Sequence, residues 1–221
     1  MRIRRKKRLS ERVEAVKDYL IVSDMDIANV KYAIKQTKYL NYFNLFNNNN
    51  PVQLEIGCGK GKFIIEKAKQ NPNINFIAVE LLENIIVMAA ESAKTEKLNN
   101  LKFFNCGADY LPRYIKKNSI EKIFLNFSPP FAGKRYENRR LTKPELVNNY
   151  RDYLIDNGVV EQKTDDKDFI EYSKNVFAKY DFTVCDVSND KEFLSRNILT
   201  EYEIKFQQLN MKIYAIIAKK Q

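Results

Sequence analysis

Two carboxylates and three glycines are the residues of this chain whose types and spacing could do chemistry. Glu55 lies in Val52-Gln-Leu-Glu-Ile-Gly-Cys-Gly-Lys-Gly61, two residues before Gly57, Gly59 and Gly61, which fall at every second position. Glu80 ends a second apolar run, Asn75-Phe-Ile-Ala-Val-Glu80. Glycine has no Cβ to hold a ligand away and tolerates φ > 0, so the three describe a tight turn that closes on a nucleotide-like group. A dinucleotide site would read G-x-G-x-x-G, but here Lys62 takes the place of the third glycine and the extra glycine comes one residue early. A carboxylate beside the loop repels a pyrophosphate and attracts a cationic amino acid. The expected ligand therefore carries positive charge and a ribose but no phosphate, with Glu80 placed to accept from ribose hydroxyls. S-adenosylmethionine meets those conditions through its α-ammonium, its sulfonium and its ribose.

Such a turn works only at the end of a strand that feeds a helix. Residues 52–56 read as that strand, and Phe63, Ile64, Ile65 and Ala68 continue at helical spacing over 62–70. The pattern then alternates. Strands are expected at 75–80, 101–106, 120–127, 159–163, 182–187 and 211–218, with helices after residue 80 and at 143–154, 167–179 and 200–207. Alternation of this kind gives an α/β fold, a mostly parallel sheet with helices on both faces, and the last two strands an antiparallel C-terminal edge. Ligands of such sheets bind at the strand C-terminal ends, where the glycine turn, Glu80, Cys106-Gly-Ala-Asp109 and the loop after Phe127 converge.

The chain has 221 residues, enough for one domain with additions: a basic N-terminal extension over 1–50 and a core over 51–221. Arg2, Arg4, Arg5, Lys6, Lys7, Arg8 and Arg12 crowd the first twelve residues, and 13–46 is expected to be irregular or weakly helical. Lys and Arg exceed Asp and Glu by 38 to 28, which favours polyanionic partners. Cys58, Cys106 and Cys185 lack metal-ligand spacing and the chain has no histidine, so no metal site is expected. No apolar run approaches membrane length, and a cytoplasmic protein, monomer or homodimer, is the expectation.

The loop Asn126-Phe-Ser-Pro-Pro-Phe-Ala-Gly-Lys-Arg-Tyr-Glu-Asn-Arg-Arg-Leu-Thr142 interleaves Lys134, Arg135, Arg139 and Arg140 with Phe131 and Tyr136, cations for phosphates beside rings that can stack on a base. Lys163-Thr-Asp165 and Thr200-Glu-Tyr-Glu203 lie at the same rim. Together with the glycine turn, Glu80 and the Asn-Phe-Ser stretch, these segments resemble the bacterial tRNA (guanine-N7)-methyltransferases, in order and over about residues 52–218. The resemblance implies a class I methyltransferase fold, S-adenosylmethionine as donor, and a guanine in the variable loop of tRNA as acceptor. It further implies that Glu55, Gly57, Gly59, Gly61, Glu80, Gly107 and Asp109 hold the cofactor. By the same resemblance Lys134, Arg135, Arg139 and Arg140 are expected to contact RNA, and Asp165, Thr200, Glu201, Tyr202 and Glu203 to line the substrate pocket. Pro129 stands where the family has its catalytic aspartate, Gly133 where it has a substrate-contacting lysine, and Gly107 where a carboxylate or amide usually meets the cofactor. No catalytic residue is therefore assigned, and the rival reading is an impaired homologue that binds tRNA without methylating it.

Overall fold

Short apolar runs rich in Ile, Val and Phe, separated by helical patterns, become one sheet with helices packed against it. The computed structural model describes residues 8–23 and 30–221. In chain order these hold α1 (Leu9–Ala15), β1 (Leu20–Ile21), α2 (Val30–Ala33), α3 (Tyr42–Phe46), β2 (Val52–Ile56), α4 (Lys62–Gln70), β3 (Asn75–Glu80), α5 (Glu83–Thr95), β4 (Leu101–Asn105), β5 (Ile120–Asn126), α6 (Pro144–Tyr153), β6 (Leu154–Thr164), α7 (Lys167–Lys179), β7 (Phe182–Asp186), α8 (Lys191–Ser195), α9 (Glu201–Gln208) and β8 (Tyr214–Lys220). Three 3-10 turns join them, at Lys17–Tyr19, Ala108–Arg113 and Lys134–Arg139.

The sheet order is β1-β4-β3-β2-β5-β6-β8-β7, and every pairing is parallel except those of β8, which runs antiparallel between β6 and β7. The antiparallel C-terminal edge expected from the sequence is thus present, with the last strand inserted inside it. Period-two alternation sends successive side chains to two cores. Phe76 and Ala78 of β3, Phe103 of β4 and Phe124 of β5 pack under α4 and α5. Their neighbours Ile77, Val79, Phe104, Ile123 and Leu125 pack against Leu146 and Tyr150 of α6 and Ile170 and Phe177 of α7.

The described residues of 13–46, expected to be irregular or weakly helical, hold the short helices α2 and α3 and, beyond that expectation, the strand β1. Leu9 and Val16 are buried with the α5 core, and β1 extends the sheet by pairing Leu20 with Phe103. Burial against α5 supplies what a seven-residue helix lacks by itself. β6 also starts at Leu154 rather than after Gly158, because a register shift between Ile120 and Lys122 carries the pairing past Gly158, where an added Cβ would lie 2.9 Å from the Ile155 carbonyl. Of the basic run, Arg2 to Lys7 lie outside the described residues, Arg8 is exposed, and Arg12 is paired with Glu91.

Candidate active site at the switch point of the sheet

β2 continues to one side of the sheet through β3, and β5 to the other through β6, so a crevice opens at the C-terminal ends of these two neighbouring strands. A cavity of about 800 Å³ fills it, within the range of small-molecule sites. The glycine turn makes its floor. Gly59 has φ +56°, with nothing within 4 Å of where a Cβ would be, so its backbone is open to the cavity. Gly61 has φ +82°, and a Cβ there would lie 2.8 Å from Ala89 Cβ, which is how α4 starts this close to α5.

The two carboxylates flank that turn in different states. Glu80 accepts from the Gly59 and Leu82 amides at 3.1 and 3.0 Å. Glu55 is 2% exposed, accepts from Asn126 Nδ2 at 2.8 Å through Oε1, and has no partner at Oε2 among the described residues. Burial raises its carboxyl to about 7, a rise opposed by Asn126 and by the charge of Lys163 and reinforced by Glu80. A buried carboxylate oxygen without a donor, on the cavity wall, suits a ligand that brings an ammonium.

The remaining wall comes from the 106–110 and 126–143 segments and the start of α9. Gly107 and Asp109 line it, but the Asp109 carboxylate is engaged by Lys143 Nζ at 2.6 Å. Pro129, Phe131 and Arg139 also reach the cavity. Lys134, Arg135 and Arg139 are exposed, and the two arginines flank the Tyr136 ring with guanidinium carbons 4.8 and 5.3 Å from its centroid.

Two of the expected site residues are engaged elsewhere, and a third stands apart from the cavity. Arg140 is 8% exposed, donates to the Pro130 and Phe131 carbonyls and lies 4.3 Å from the Tyr172 ring centroid, so it braces the loop from within instead of facing RNA. Glu203 is 2% exposed and forms a capping box with Thr200; its carboxylate also meets Lys163 Nζ at 2.7 Å, away from the cavity. Asp165 does not line the cavity either. Thr200, Glu201 and Tyr202 do. Asn126, which holds Glu55, and Lys143, which holds Asp109, were not foreseen. An amide at the end of β5 beside the carboxylate of β2 was the available signal for the first.

A family model described as "Putative methyltransferase" matches residues 49–216. The tRNA (guanine-N(7)-)-methyltransferase of Geobacillus sp. (strain WCH70) is 37% identical over 216 residues, covering 97% of this chain and 93% of that protein. This chain belongs to the tRNA (guanine-N7)-methyltransferase family. The namesake proteins of Bacillus subtilis (strain 168) and Clostridioides difficile (strain 630) are 40% identical over 77% of this chain and 81% of theirs, and 35% identical over 100% and 99%. Among solved structures, the 16S rRNA methyltransferase KamB superposes with a TM-score of 0.61 at 14% identity, over 84% of this chain and 95% of that one. That likeness concerns the fold: a class I methyltransferase sheet.

Proposed function

We propose that the chain transfers the methyl group of S-adenosylmethionine to N7 of a guanine in the variable loop of tRNA. The observation that carries this is one cavity shared by the glycine turn, the orphaned Glu55 oxygen, Glu80 and the arginine-bearing 126–143 loop. S-adenosylmethionine, when bound, supplies a methyl group on a positively charged sulfur. Glu55 would take its α-ammonium, Glu80 its ribose hydroxyls, and the open backbone at Gly59 lets it approach. Guanine N7 has an in-plane lone pair and no proton, so no side chain must act as a base. The task of the residues is alignment of two reactants, which contributes up to about 7–11 kcal/mol in favourable systems. That is compatible with Pro129 at the aspartate position of the family. Lys134, Arg135 and Arg139 hold tRNA phosphates, and the arginines can stack their planes on bases.

The test is methyl transfer from radiolabelled S-adenosylmethionine to unmodified tRNA, with digestion and identification of the product nucleoside. 7-Methylguanosine at the variable loop is expected. A chain that binds tRNA and S-adenosylhomocysteine yet yields no methylated nucleoside is an inactive homologue, and the proposal fails.

A further inference from the structure

The rings at the cavity mouth are arranged unlike those of the core. Phe63–Phe124, Phe104–Tyr114 and Phe177–Phe182 meet edge-on, at 64°, 86° and 78°, so that each positive ring edge meets a negative face. Phe127 and Tyr202 are nearly parallel, 20° apart with centroids at 6.0 Å. Both line the cavity, and Tyr202 is 56% exposed. Phe206 completes a triangle from behind, 5.7 Å from Phe127 and 6.1 Å from Tyr202, without reaching the cavity.

The pair is held by unusual means. Phe127 has a left-handed φ of +49°, rare for a bulky residue and tolerated where the surroundings over-determine it. Its amide donates to the Lys163 carbonyl at 2.8 Å. The side chain of the same lysine donates to Glu203 at 2.7 Å and to Asn197 at 3.0 Å, which fixes the start of α9 and with it Tyr202. One buried residue of β6 thereby positions both rings.

We propose that Phe127 and Tyr202 are the stacking surface for the purine that receives the methyl group. This rests on the functional reading above and deepens it. As guanine N7 bonds to the methyl carbon, the carbon–sulfur bond breaks with its electron pair going to sulfur. No proton moves, and the positive charge passes from sulfur to the purine. A ring face attracts a cationic purine more than a neutral one, so the contact strengthens along the reaction and raises the rate as well as the affinity. The rings are therefore selective for the base as it becomes charged.

The chain has no tryptophan, so Phe127→Trp is a lone fluorescent reporter in the site. 7-Methylguanosine 5′-monophosphate should quench it saturably, with guanosine 5′-monophosphate binding at least about fivefold more weakly. In tRNA methylation at saturating cofactor and tRNA, Phe127→Leu should lower the single-turnover rate about tenfold, whereas Phe206→Leu, a ring of the same cluster outside the cavity, should stay within about twofold. No quenching by either nucleotide, in a reporter protein that still binds S-adenosylhomocysteine, overturns the proposal. So do equal losses in Phe127→Leu and Phe206→Leu, which would make the cluster only a clasp for α9. Failure of the parent to form 7-methylguanosine, with selective quenching intact, would count against the reaction and leave the stacking surface standing.

Discussion

Replacing Glu55 by glutamine keeps the shape of a buried group and removes its charge, and the structure sets the size of the effect. The carboxyl is 2% exposed and raised from 4.5 to about 7, chiefly by burial. The folded chain without ligand therefore holds this proton more tightly than the unfolded chain, so the contribution of Glu55 turns against folding as pH rises from about 4.5 to about 7. At about 1.4 kcal/mol per pKa unit, the cost reaches about 3 kcal/mol above pH 7. Glu55→Gln should accordingly be more stable than the parent in denaturant titrations at about pH 8, with the difference closing below about pH 5.

Cofactor binding should respond in the opposite sense. The α-ammonium of the ligand needs the ionised carboxylate, so the affinity of the parent for S-adenosylhomocysteine should fall roughly 15-fold between pH 7 and about pH 5.5, a window in which the ligand amine stays protonated. The glutamine variant should lose about 1.5–3 kcal/mol of binding, or roughly 10- to 150-fold, together with that pH dependence. Calorimetry at three pH values on both proteins reads these effects. A flat affinity in the parent across the window, or a variant that binds like the parent, would refute the assignment of Glu55 to the ammonium.

Other residues give separable outcomes. Arg139→Ala should flatten the salt dependence of tRNA binding by roughly 0.7–0.9 for each phosphate no longer neutralised, whereas Arg140→Ala should leave that slope unchanged and destabilise the chain by about 1–3 kcal/mol through two carbonyls deprived of its guanidinium. Gly107 has an ordinary φ of −79° and a Cβ there would meet nothing closer than 3.5 Å, so Gly107→Asp should fold normally and strengthen S-adenosylhomocysteine binding several-fold in calorimetry. Pro129→Asp should raise the single-turnover methylation rate with little change in tRNA affinity; adding Gly133→Lys should bring no gain, because Gly133 has φ +91° and a side chain there is strained. Lys163→Met leaves the Glu203 carboxylate buried without its cation and should cost about 3–5 kcal/mol of stability by denaturant titration.

What could be read from the sequence was the part whose physics is local. A glycine turn between a strand and a helix declares itself by spacing, and α4 and β3 fall where the apolar periodicity puts them. The packing of α1 and the insertion of β8 between β6 and β7 depend on surfaces far apart in the chain, which no short window contains. The placement of a charge is non-local for the same reason. In one dimension Arg139 and Arg140 are equivalent, yet one reaches the cavity and the other is turned under the loop against Tyr172.

Thr200-Glu-Tyr-Glu203 separates the two kinds of information within four residues. Its spacing is that of a capping box, in which the first residue and the fourth bond each other's backbone, and the bonds are present: the Thr200 amide donates to Glu203 Oε2 at 2.8 Å and the Glu203 amide to Thr200 Oγ1 at 3.0 Å. A side chain committed to a cap beside the buried Lys163 cannot also serve a ligand. The helix then necessarily directs the two intervening side chains elsewhere, and both Glu201 and Tyr202 border the cavity. The motif therefore has two tasks: the bonds between Thr200 and Glu203 order the start of α9, and Thr200, Glu201 and Tyr202 border the cavity. Because the first task makes the second possible, loss of Glu203 should impair tRNA methylation without Glu203 touching either reactant.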